Sequence, residues 1–350
     1  MQSETAPSCC ALEKVLKGAA ISMQEQMERI FHPTHRRAII ISGPTGAGKT
    51  ALSLELAERL GGEIVSADSV QVYRGMDIGT AKVSKEDRAR IRHHLIDIRD
   101  INEPFNVADF YEEAKAACLD IFIRGKVPIV VGGTGFYLHA LLYGPPCGPP
   151  ADPAIRAALE KDYEKFGIEP LFERLQEFDP AYAATITKND VNKVTRALEI
   201  IEVTGRPVSS FAWKERKLEQ YFDFRSWFLH RPREILYPEL EKRCEEMLKS
   251  GLLEEVVTLD RAGIRKNRTA AQAIGYKQSL DYLDTAQSLQ DYEHFVEVFK
   301  VASRHLAKRQ FTWFRKEPHF QWVDLSKLTA EDVIGMIAND YETGGLPGAY

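Results

Sequence analysis

Apolar and polar positions fall into short alternating blocks along this chain. Ala38-Ile39-Ile40-Ile41 is a continuous apolar run of strand length, and the ALSLELAERL segment from Ala51 follows it with the spacing of a one-sided helix. Glu63–Ser66 predicts a second strand ending at Ala67-Asp68, and His94–Ile98 a short third. Val107–Arg124 predicts a helix, and Pro128–Val131 a buried strand closed by Gly132-Gly133. Strands alternating with helices predict an α/β fold, a parallel sheet flanked by helices, which binds ligands at the carboxyl ends of its strands. Asp68 and Thr134, each just past a strand, fall on that edge.

The run GPPCGPP at 144–150 interrupts the alternation and stiffens a connection. We read residues 144–220 as an inserted helical subdomain, helical and charged to about Lys217, between a first core segment (38–143) and its completion (221–325). The completion holds a strand over 221–230 and helices over Pro232–Ser250, Leu252–Ala262, Ala270–Tyr282 and Asp291–Arg315, making a helical C-terminal region. Residues 326–350 predict a last helix and a tail. Residues 1–37 are expected to be a mobile extension with a short amphipathic helix near Ile21–Ile30, and Met23 or Met27 is an alternative start.

Composition narrows the class. The chain has 350 residues, 44% of them hydrophobic, enough for ordinary cores in a main domain and a smaller one. The net charge of −5 does not by itself predict a polyanionic partner, yet Lys300–Lys316 carries six Lys or Arg and no acid. Cys9, Cys10, Cys118, Cys147 and Cys244 show no metal-ligand spacing and no even disulfide set, which suits a reducing cytoplasm. No apolar stretch approaches a membrane span, and the N-terminus lacks the layout of a secretory signal.

The most specific chemistry is GPTGAGKT, Gly43, Pro44, Thr45, Gly46, Ala47, Gly48, Lys49 and Thr50, between a predicted strand and a predicted helix. That context is what a P-loop needs: glycines let the backbone wrap an anion, amides and a helix start face its oxygens, lysine reaches the outer phosphate and threonine ligates Mg²⁺. The loop alone does not say whether the bound group is transferred, hydrolysed or expelled. Asp68, in the polar stretch Ser66-Ala67-Asp68-Ser69-Val70-Gln71, is either a carboxylate near Mg²⁺, as in a kinase, or a general base.

The ordered blocks GPTGAGKT, SADSVQVYRGMDIGTAK, HHLIDI, VGGTGFYL, TRALEI, AIGYK and RHLAKRQFTWFRK resemble the tRNA dimethylallyltransferases, also called tRNA isopentenyltransferases, from about Ala38 to Val323. Departures are small: Gly46-Ala47 stands where members more often have Ala-Ser, and Val191-Asn192-Lys193 replaces a more usual Arg-containing stretch. The resemblance implies transfer of a dimethylallyl group from dimethylallyl diphosphate to N6 of adenosine 37 of tRNA. It implies Mg²⁺ as cofactor and the tRNA anticodon stem-loop as partner, and a monomeric, cytoplasmic enzyme with no membrane attachment is expected. The leaving group is then a polyanion, neutralised by the loop amides, Lys49, Mg²⁺ on Thr50, and Arg243, which matches a family arginine.

Asp68 would take the N6 proton, Thr134 would lie near the target base, and Ser69, Val70 and Gln71 would share the adenosine side. Further tRNA contacts carried over by the resemblance are Asn192, Lys193, Val194, Thr195 and Arg196; Ala271, Gln272, Ala273, Ile274, Gly275 and Tyr276; and Arg304, His305, Lys308 and Arg309. Arg304, Lys308 and Arg315 fall near one helical face, with Phe311, Trp313 and Phe314 interleaved, the residue types that a single-stranded loop is read with. Alternatives remain: an AMP or ADP prenyltransferase, which typically lacks this basic tail, a P-loop kinase of a small metabolite, or, more distantly, a non-catalytic RNA-binding module.

Overall fold

A computed structural model describes residues 36–146, 148–211 and 221–344. The predicted N-terminal helix, the alternative start sites and the extreme C-terminal tail lie outside the described residues. The chain divides into two compact units, Tyr143–Leu218 and the remainder.

The larger unit is built on six strands, β1 Arg37–Ser42, β2 Gly62–Ser66, β3 His93–His94, β4 Val127–Val131, β5 Asp223–His230 and β6 Phe320–Asp324. All pairings are parallel, in the order β3-β2-β4-β1-β5-β6. The loops after β1, β2 and β4 therefore converge on one edge. Helices α1 Lys49–Leu60, α2 Lys85–Arg90, α3 Val107–Ile123 and α4 Gly135–Tyr143 follow the first strands. The smaller unit contains α5 Pro153–Phe166, α6 Glu169–Phe178, α7 Pro180–Ala183 and α8 Val191–Thr204. The larger unit resumes after β5 with α9 Arg233–Lys249, α10 Leu252–Ala262, α11 Arg268–Ala271, α12 Tyr276–Leu283, α13 Leu289–Phe314 and, after β6, α14 Ala330–Thr343.

The apolar runs bury as strands because both faces of the sheet are covered. On one face Ile39, Ile41 and Trp227 pack with Leu52 and Leu56 of α1 and Val333 and Ile337 of α14. At the β5–β6 end, Phe228 meets Phe314 at 4.9 Å and Trp322 at 4.2 Å between ring centroids, and Phe311 at 5.8 Å. These contacts correct one expectation: Phe311 and Phe314 belong to the core, and of the three interleaved aromatics only Trp313 is exposed.

The elements depart from the sequence reading in several places. The third strand is His93–His94 rather than His94–Ile98, because Leu95 and Asp97 take positive φ and turn the chain away. The helix expected over Ala270–Tyr282 is two helices, broken before Gly275 at φ +90°. Strand β6, absent from the sequence reading, completes the far edge against β5.

The smaller unit has its own core of Leu159, Leu171, Leu175, Val194 and Leu198. Glu199 is buried there and held by Arg156 at 2.8 Å, Arg196 at 2.9 Å and the Asp152 amide at 2.7 Å. A charge buried with that many partners stays ionised, and burial alone would push it the other way.

Candidate active site

The cradle forms where β1 ends. Gly46 at φ +78° and Gly48 at φ +94° turn the backbone through the left-handed region, and α1 starts at Lys49 with no side-chain cap on its amides. Gly43 is required for a different reason: a Cβ there would stand 2.1 Å from the Leu229 carbonyl oxygen of β5. Lys49 folds over the loop and donates to the carbonyls of Gly43 and Pro44, both at 2.8 Å. Burial, reinforced by the nearby Arg243 charge and opposed by Asp68, brings its ammonium down to about 7.

A cavity of about 430 Å³ opens over this loop. Thr45, Gly46, Gly48, Lys49 and Thr50 of the loop, Asp68, Val70 and Gln71 after β2, Gly132 and Gly133 after β4, and Arg243 of α9 all line it. Lys49 and Arg243 are thus brought together from α1 and α9. Burial lowers the Arg243 pKa too, and its guanidinium has no ion pair among the described residues, which leaves it available to an anion. Asp68 is fixed by its own turn: its Oδ1 accepts from the Val70 amide at 2.9 Å and the Gln71 amide at 3.2 Å. Thr134 joins it, accepting from the Ser69 amide at 3.2 Å, and Gly132 permits the approach because a Cβ there would lie 2.2 Å from the Ala67 oxygen.

The remaining candidates divide. Ala273, Ile274 and Tyr276 line the cavity, while Ala271 and Gln272 end and follow α11. Tyr276 is 0% exposed, with its hydroxyl donating to Glu255 at 2.6 Å, so its ring belongs to the cavity wall rather than to the outer surface. Val194 is likewise 0% exposed in the core of the smaller unit, and a side chain without surface touches no RNA. Its neighbours differ: Asn192 and Lys193 are on the surface, Thr195 donates back to the Val191 carbonyl at 3.0 Å, and Arg196 is paired with Glu199. Arg304 is paired with Glu241 and Glu297, whereas His305, Lys308 and Arg309 are exposed on α13.

Two residues that shape the cavity escaped the sequence reading. Glu255 accepts from the amides of Asp77 (3.1 Å), Ile78 (2.7 Å) and Gly79 (3.3 Å) as well as from Tyr276, and so shapes the cavity wall at Gly79 and Thr80. Gln310, inside the quoted block KRQFTWF, accepts from the Thr45 amide at 2.9 Å and donates to the Gly133 carbonyl at 3.0 Å. Apart from Tyr276, their partners lie about 180 to 270 residues away in sequence, beyond any local spacing rule.

The fold and the cavity define a P-loop α/β protein whose anion cradle faces a carboxylate across one cleft. The model of the IPP transferase family matches residues 71–317. The chain is 54% identical over 331 residues to the tRNA dimethylallyltransferase of Protochlamydia amoebophila, covering 95% of this chain and 96% of that one. It is 50% identical to the same-named protein of Chlamydia pneumoniae, over 90% and 92% of the two chains. Among solved structures, the full-length tRNA isopentenylpyrophosphate transferase of Bacillus halodurans superposes with TM-score 0.63 at 39% identity, covering 88% of this chain and 97% of that one. A eukaryotic dimethylallyltransferase acting on tRNA superposes with TM-score 0.75 at 28% identity, over 90% and 81%. The chain belongs to the IPP transferase family. Among the described residues, no helix is long and apolar enough to cross a membrane.

Proposed function

We propose that the protein transfers the dimethylallyl group of dimethylallyl diphosphate to N6 of adenosine 37 in tRNA, beside the anticodon. The observation that carries this reading is one cavity holding both a cationic diphosphate cradle, with Lys49 and Arg243, and the acceptor-side carboxylate Asp68. Allyl transfer develops negative charge on a departing diphosphate, and the two cations over the loop are placed to take it up.

In the reaction, the bond from donor carbon 1 to the diphosphate oxygen breaks as a bond from N6 to carbon 1 forms. The N6 proton passes to Asp68, and inorganic diphosphate leaves with the electron pair. Lys49 and Arg243 take up the negative charge that grows on the leaving group. The Val70 and Gln71 amides hold the carboxylate in place, so that Asp68 meets N6 without reorganising. A base within hydrogen-bond reach contributes about 10² to 10⁴ in rate for so weak a nucleophile.

The residues fit a magnesium ion that is shared with the substrate. Among the described residues no group of three or more His, Cys, Asp or Glu converges, while the exposed Thr50 hydroxyl lines the cavity at the start of α1. Mg²⁺ on Thr50 would take most of its remaining ligands from diphosphate and water and would add positive charge at the leaving group.

The target base must leave its stack to enter the cavity. Lys308, Arg309, His305 and Trp313, exposed on α13, together with Ala271, Gln272 and Gly275 and the surface residues Asn192 and Lys193, are the proposed contacts to the anticodon stem-loop. Incubation with labelled dimethylallyl diphosphate and Mg²⁺ tests the reading. Label on tRNA is expected. Label on AMP alone would assign a free-nucleotide prenyltransferase, and ATP consumption without prenyl transfer a kinase.

A further inference from the structure

Gln310 stands where three elements meet. From α13 its carboxamide reaches the donor loop at Thr45 with its oxygen and the turn after β4 at Gly133 with its nitrogen. A flipped amide would set donor against donor and acceptor against acceptor, so the pair of bonds fixes a single orientation. The contact is also close: a Cβ on Gly133 would stand 2.3 Å from the Gln310 Nε2, and one on Gly135 would stand 2.4 Å from Trp313. With Gly132 seated against Ala67, the turn lies between α13 and the strand end carrying Asp68 with no intervening side chain.

We propose that Gln310 is a positioning residue that couples the two substrates: RNA seated on α13 holds the Thr45 amide and the Gly133 turn in one register, and so tightens the grip on diphosphate. This inference rests on the tRNA reading above. Lys308 and Arg309, exposed, immediately precede Gln310 on the helix, so a load on them reaches its backbone directly. A helix moves as a rigid element, and displacement of α13 pulls on the donor loop and the acceptor turn together. By linkage the effect is reciprocal, with diphosphate tightening RNA binding by the same factor.

The test measures inorganic pyrophosphate affinity, with Mg²⁺, in the presence and absence of a saturating anticodon stem-loop RNA. In the unsubstituted protein the RNA is expected to tighten pyrophosphate by about tenfold, within the usual range of coupling. In Gln310→Leu, which loses both bonds, the factor by which RNA tightens pyrophosphate should fall below about two, whatever the affinity without RNA. Gly133→Ala, which displaces the carboxamide from the other side, should lose the same coupling and covers the case in which Gln310→Leu fails to fold. A purely structural role would lower the melting temperature and leave the coupling factor intact, and that result overturns the proposal. An unsubstituted protein whose affinities are independent of each other also overturns it. RNA that fails to bind the unsubstituted protein removes the tRNA reading and this inference with it.

Discussion

Burial and a neighbouring guanidinium both oppose the charge of Lys49, and its ammonium titrates near 7 in the free protein. An ordinary lysine in the unfolded chain titrates near 10.5. Between these values the unfolded chain binds more protons, so this group's contribution to stability rises with pH across that window and its penalty is complete below 7. A bound diphosphate reverses the balance by favouring the charged ammonium. Above pH 7, pyrophosphate binding should therefore be accompanied by proton uptake at Lys49. Calorimetry in buffers of different ionisation enthalpy reads this uptake, and Lys49→Ala should abolish it; equal uptake in both proteins would refute the assignment. Asp68 is separable from the cradle because its carboxylate is oriented by its own turn. Asp68→Ala should lower turnover by about a hundredfold or more with pyrophosphate affinity little changed. Single-turnover transfer to tRNA checks this, and undiminished transfer would remove Asp68 as the base.

At the scale of elements, the cavity wall depends on a helix distant in sequence. Glu255 of α10 satisfies three amides of the 77–79 turn and the Tyr276 hydroxyl. Glu255→Ala leaves these donors unpaired in a half-buried place and should cost about 3 kcal/mol, read as a lowered urea midpoint with an unchanged slope. On α13, Lys308 and Arg309 are exposed and have no ion pairs among the described residues. Replacing both with alanine should weaken tRNA binding and flatten its dependence on log salt by about 1.5, the share of two phosphate contacts. Filter binding across a salt series measures both effects, and an unaltered slope would mean that this face is turned away from RNA.

The same elements explain what the sequence made legible. Strands β1, β2 and β4 were readable because a strand buried on both faces is a continuous apolar run, and the cradle because its glycines obey local backbone rules. Strand β6 was not, since Phe320–Asp324 mixes apolar and polar residues at a sheet edge and earns its pairing only from β5. The roles of Phe311 and Phe314 depended on Phe228, 83 and 86 residues away, and periodicity says only that they share a helix. Gln310 and Glu255 are polar residues on helices, indistinguishable in sequence from solvated ones until their partners are placed.

For the whole molecule, the two units divide the labour that the proposed reaction requires. Every residue lining the main cavity belongs to the larger unit, and the smaller unit is closed around its own apolar core and the buried Glu199. Removing residues 144–218 and joining the ends with a short flexible linker deletes no cavity wall and no strand of the sheet. The shortened protein should bind pyrophosphate within about threefold of the full chain, because the cradle, Lys49 and Arg243 remain together. It should at the same time lose most of its affinity for tRNA, since the surface bearing Asn192 and Lys193 is gone and that binding is spread over many phosphate contacts. Pyrophosphate calorimetry and tRNA filter binding on one preparation separate the two. Unaltered tRNA affinity would place RNA recognition wholly on the α13 side, whereas lost pyrophosphate affinity would mean that the cradle depends on the smaller unit for its shape.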